Sequence, residues 1–155
     1  YIDKLEKWYE ENVAKEFPKM RAQTLHLLQE EAELNEVVQL VGVDSLSFED
    51  RMKLEVCKSI REDYLHQNAF HEIDTFTSMN KQYKMLKLIL SFYEMGVEAI
   101  SKGASFNKIA ALDVRESIGR FKYIEEKEID AAFDQLMETM RAEISELVSK
   151  EETDD

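Results

Sequence analysis

A chain of 155 residues with a single proline, Pro18, and four isolated glycines, Gly42, Gly96, Gly103 and Gly119, has almost nowhere to turn sharply. Sheets need frequent turn residues, whereas long helices need only a stop at each end. Apolar residues recur at helical spacing along most of the chain, no strand alternation of useful length occurs, and no internal repeat is visible. The expectation is an all-α fold, an irregular bundle of about five to seven helices with no significant sheet.

Ile2, Leu5, Tyr9 and Val13 mark a first helix of about four turns, which Phe17 and Pro18 are expected to stop. A second helix from Lys19 to about Leu40 carries Met20, Leu27, Leu34, Val38 and Val41 as one stripe and ends at Gly42. Ser47 with Asp50 three residues on resembles a capping box, and Glu49 adds a carboxylate at the positive end of the helix dipole. A third helix therefore starts near Phe48 and turns Met52, Val56, Ile60 and Tyr64 inward. At about 1.5 Å per residue this rod sets the turn of Asp44 to Asp50 about 30 Å from Phe70.

Residues 68–77 read as polar and irregular. Ser78 then caps the most strongly periodic helix, with Met79, Tyr83, Leu86, Leu90, Tyr93, Val97 and Ile100 in register and Ile89 and Phe92 beside them. So wide an apolar arc belongs to a central helix, and Gly103 ends it. Short helical pieces follow at about Ser105 to Ala111 and Val114 to Gly119. Ile129, Phe133, Leu136, Met140, Ile144 and Leu147 mark a last long helix. Residues 1–150 are expected to form one helical domain, and residues 151–155 an acidic tail, with fraying from Lys150.

The charge balance narrows the function. With 33 acidic and 20 basic residues the net charge is −13, so a nucleic-acid backbone would be repelled. No run approaches the roughly 18 apolar residues of a membrane span, and no signal-peptide pattern is present, so no direct membrane insertion is expected. Cys57 is the only cysteine; inside a helical pattern it reads as a reduced thiol with no catalytic task. The chain opens at Tyr1 directly in helical periodicity, from which upstream domains are expected.

Catalytic machinery is hard to find. None of the four glycines sits in a G-x-x-x-x-G-K-[ST] loop, so the chain by itself lacks that means of wrapping phosphates. His66 and His71, with Glu72 and Asp74 nearby, invite a metal reading. Their spacing of five puts them on different helix faces, unlike H-E-x-x-H, and solvated histidines at a corner are the preferred reading. No metal and no catalytic residue is assigned. Met52, Met79, Met137 and Met140 lie on helical stripes, where core filling is the first explanation and an apolar groove for a partner helix, as in an all-helical adaptor, the alternative. Trp8 and Tyr9 pack either on the bundle or against an upstream domain.

The whole chain resembles the C-terminal helical domain of the catalytic A subunit, or alpha chain, of V-type and archaeal-type ATP synthases, which are rotary ATPases. The runs that carry the likeness are LLQEEAELNEVVQLVGVDSLSFEDR, IREDYLHQNAFHEIDTF and KQYKMLKLILSFYEMGVEAISKG, with VRESIGRFKYI in keeping. Within the first run, Asp44, Ser45, Leu46, Ser47, Phe48, Glu49 and Asp50 are similar to the acidic D-E-L-S-E-E-D segment of F-type catalytic subunits, which faces the rotating shaft. Ser45 and Phe48 replace two of its acids, so the likeness implies a steric push on the shaft more than an ionic one.

In the second run, Gln67, Asn68, Ala69 and Phe70 resemble the corner that lies under the nucleotide domain and offers an aromatic ring to the adenine. The resemblance implies a helical lever in an ATP-hydrolysing and ATP-synthesising subunit, coupled to proton or sodium transport. It also implies ATP or ADP with Mg in the intact subunit, and no cofactor or activity in this chain alone. The implied partners are the central-stalk subunits, the non-catalytic B subunits of the hexameric head and the upstream nucleotide-binding domain. The implied location is the cytoplasmic head, peripheral to the membrane.

Overall fold

The computed structural model describes the backbone of residues 2–65 and 79–153, with side chains over residues 11–65, except 12 and 14, and 79–150. The described residues are helical throughout apart from short turns, with no strand among them. Among the described residues there are six α-helices: α1 (Ile2–Val41), α2 (Phe48–Ser59), α3 (Met79–Ser101), α4 (Phe106–Ala110), α5 (Val114–Arg120) and α6 (Ile129–Thr153). The all-helical expectation holds, and the last helix runs on into the acidic end as far as Thr153.

One boundary differs. The chain does not break at Pro18, which lies inside α1. An internal proline removes one backbone donor and crowds the carbonyl four residues back, at a cost of about 3 kcal/mol. Packing on both sides of Pro18 holds the helix against that cost. Phe17 is buried with its ring 6.0 Å from that of Tyr83, Arg21 lies over the Phe17 ring, and Thr24 and Leu27 further along the helix are buried.

The central position of α3 is as the wide arc predicts. It packs against α1, α2 and α6, and Met85, Leu86, Leu88, Ile89, Leu90 and Phe92 are all buried. Met79, placed on the inward stripe by spacing, is exposed at the helix start. At the other end Gly103 adopts φ 99, its N–H donates to Ile100 O, and Ala104 N–H donates to Ala99 O. This is a Schellman closure, which requires the left-handed conformation that glycine adopts without penalty.

Met52, Val56, Ile60 and Tyr64 are all buried, as expected. Their strict spacing of four does not suit an α-helix, which overshoots by about 40° every four residues. The helix answers by widening: after Ser59 the chain continues as a π-helix over Ile60–Leu65. The wider turn keeps Ile60 and Tyr64 on the core side.

Candidate functional site

The hairpin formed by α1 and α2 carries residues 44–50 at its tip. Gly42, at φ 88, lets α1 stop and a single 3-10 turn, Val43–Ser45, reverse the chain. Ser45 Oγ–H donates to Gly42 O at 2.7 Å, tightening the reversal. Ser47 is the N-cap of α2, its Oγ accepting from Asp50 N–H at 3.1 Å. The Asp50 carboxylate lies 3.6 Å from Lys53 Nζ, one turn along α2.

The sequence-predicted contact residues thus divide into two groups. Leu46 is buried and roots the turn, while Asp44, Ser45, Ser47, Phe48 and Glu49 are exposed. Asp44 pairs with Arg51, at 3.5 Å. Phe48, 53% exposed, is braced from two sides: its ring stacks on Phe106 of α4 with centroids 6.3 Å apart, and the Arg51 guanidinium lies 5.1 Å from its centroid.

The shank of the hairpin is cross-tied. Lys53 Nζ reaches Glu30 at 2.7 Å; that hydrogen bond raises the Lys53 pKa and holds the Glu30 carboxyl below its usual range. Arg61 pairs with the largely buried Glu31. Cys57 Sγ–H donates to Leu27 O at 3.3 Å, and burial, with Glu31 nearby, pushes the thiol up to about 12. A thiol this protonated is no nucleophile.

Further ties join the hairpin to the bundle. Arg115 of α5 donates to Glu55 Oε2 at 2.8 Å and to Ala110 O at 3.0 Å, and lies 3.4 Å from Ser59 Oγ. Asp63 sits 3.6 Å from Lys122 Nζ, and burial raises its pKa. Neither Phe106 nor Arg115 was singled out from sequence; a brace supplied from 60 residues away has no local signal.

Another feature at the tip was also missed. Val41, placed on the inward stripe, is 67% exposed, as is its neighbour Leu40 at 84%. Leu27, Leu34 and Val41 stand seven apart, and a straight α-helix drifts by about 20° per heptad. The run Val37, Val38, Leu40 and Val41 was the available signal, since four apolar residues in five exceed what one helix face can bury.

Gln67, Asn68, Ala69 and Phe70, together with His66 and His71, lie outside the described residues, as does Ser78. Among the described residues no cluster of His, Cys, Asp and Glu is arranged to hold a metal ion, and no helix is long and apolar enough to cross a membrane. Met52 and Met140 are enclosed in the core, so these two line no open groove.

Residues 6–110 match the family model described as the C-terminal domain of V and A type ATP synthase. The V-type ATP synthase alpha chain of Acetivibrio thermocellus is 52% identical over 151 residues, covering 97% of this chain and 26% of that protein. The alpha chain of Clostridioides difficile is 52% identical over 150 residues, 97% of this chain and 25% of its own length. That of Clostridium botulinum is 51% identical over 153 residues, with the same shares. The chain thus spans about a quarter of the length of the curated relatives it matches.

Proposed function

Since the chain belongs to the family of the C-terminal domain of V and A type ATP synthases, we propose that it is the helical lever of the catalytic subunit, passing nucleotide-driven motion to a rotating shaft. The observation that carries this reading is the cross-tied hairpin. Its tip stands on a shank held by Glu30–Lys53, Glu31–Arg61 and Arg115–Glu55, and its base is packed on the central helix. A body so tied moves as a unit, which is what a lever requires.

In the intact subunit, ATP binding and hydrolysis with Mg would open and close an upstream nucleotide-binding domain. The tip at residues 44–50 would meet the central-stalk subunits, inside a head shared with non-catalytic B subunits and peripheral to the membrane on its cytoplasmic side. Run in reverse, shaft rotation would force ATP release, coupled to proton or sodium transport. Gln67, Asn68, Ala69 and Phe70 would lie under the nucleotide, with the Phe70 ring against adenine. The chain alone would not hydrolyse ATP, because its glycines form no phosphate loop.

Coupling tests the lever. In the assembled enzyme, Arg115→Gln removes a brace between α5 and the hairpin, so ions moved per ATP hydrolysed should fall by about half or more while ATP hydrolysis continues. A transport-to-hydrolysis ratio equal to that of the unmodified enzyme would count against the lever.

A further inference from the structure

We propose that the hairpin tip engages its partner through an apolar face made by Val37, Leu40, Val41 and Val43, and that this face takes an apolar helical ridge flanked by lysines or arginines. The inference rests on the lever reading and specifies the chemistry of its shaft contact.

Val37, Leu40 and Val41 stand at i, i+3 and i+4, so they share one face of α1, and Val43 follows in the 3-10 turn. All four are exposed. The remaining exposed large hydrophobics among the described residues, Leu25, Leu65, Met79 and Tyr123, are scattered along the chain, apart from Phe48, which is braced by Phe106 and Arg51. Beyond Glu31, α1 has no buried residue, so its last turns project past the core. A contiguous apolar face on a projecting helix end marks a contact surface.

Charge selects the partner. From Glu33 to Asp50 the chain holds Glu33, Glu36, Asp44, Glu49 and Asp50 and no lysine or arginine; Arg51 lies 3.5 Å from Asp44 and Lys53 3.6 Å from Asp50, so the tip keeps an excess of acids over bases. An acidic ridge would be repelled by this rim and a basic-flanked one steered onto it. The apolar face would supply most of the affinity, and the acids mainly the association rate and its salt dependence.

The test uses the catalytic head reassembled from full-length alpha chains, with the enzyme's own purified central-stalk subunit as the probe. Leu40→Ser with Val41→Ser should weaken stalk binding by about tenfold or more at both low and high salt. Asp44→Asn with Glu49→Gln should slow association at low salt and change affinity at high salt by less than about threefold. All four positions are exposed, so thermal unfolding should be unchanged and a folding defect is separable from a docking defect.

A photo-crosslinker on Leu40→Cys, in a head whose other accessible cysteines are replaced, separates the face from the lever; Cys57 is buried and does not compete for label. Crosslinking to the stalk, with the serine pair weakening binding, supports the proposal. Crosslinking to the stalk with unweakened binding by the serine pair overturns the apolar face and leaves the lever standing. Crosslinking only to another head subunit, or to none, overturns both.

Discussion

Met52 and Gly96 meet where α2 crosses α3. A Cβ at position 96 would stand 2.6 Å from Met52 Cε and 3.2 Å from its Sδ, and Met52 is wholly buried. The absent side chain at Gly96 is therefore what lets the hairpin lie close against the central helix.

Gly96→Ala sets two effects against each other. Alanine in a helix interior is better than glycine by about 1 kcal/mol, while overpacking a filled core costs about 1–3 kcal/mol. The methyl end of Met52 is flexible but enclosed, so a net loss of up to about 2 kcal/mol is expected. Denaturant unfolding of Gly96→Ala, Met52→Val and the double variant should show coupling, with Met52→Val relieving the added methyl. Full stabilisation by alanine with additive effects would contradict the close crossing.

The Glu30–Lys53 pair gives a pH dependence with a defined sign. The folded-state pKa of Glu30 is depressed by the Lys53 hydrogen bond. Its contribution is therefore present above the unfolded carboxyl value of 4.5 and is lost as pH falls through the lower folded value. Lys53 is raised, so its share is present below 10.5 and is lost as pH rises through the folded value. Both groups are partly exposed, which limits the effect to about 1 kcal/mol or less. Lys53→Met should flatten the acid limb of the stability curve relative to the unmodified chain; an identical limb would remove the pair from the account.

Cys57 should resist thiol reagents. It is wholly buried and its pKa stands at about 12, so thiolate is scarce even at pH 9. Mixing with a chromogenic disulfide at pH 8 should label no thiol in the folded chain and one after denaturation. Prompt labelling of folded protein would mean that the α1–α2 seam opens readily.

For the intact enzyme, the proposed contact of Phe70 with adenine means that Phe70→Ala should weaken ATP binding by several-fold, one ring contact being worth about 1 kcal/mol, with a smaller effect on the maximal rate. Nucleotide titration of the assembled head measures this directly. Unaltered affinity would withdraw the adenine assignment.

Much of this architecture was legible in the residues alone. The scarcity of glycine and proline dictates helices, the positive φ of Gly42 and Gly103 falls where the apolar stripes end, and the Ser47 cap stands where the S-x-x-D spacing puts it. These are local effects, decided by a residue and its neighbours within a turn or two. The inward face of α2 was equally readable; on α3 the stripe found Tyr83, Leu86 and Leu90, with Ile89 and Phe92 beside it, while Tyr93, Val97 and Ile100 are half-buried and Met79 is exposed.

Tertiary structure decided the rest. Pro18 reads as a stop, yet Phe17, buried against Tyr83, keeps α1 in one piece. Val41 reads as core, yet it stands in the open because none of the described residues covers that face at the end of α1. Phe48 becomes a stiff projection only because Phe106, distant in sequence, lies beneath it. A stripe states that a residue is apolar; which surface covers it, or fails to, depends on partners that local periodicity does not encode.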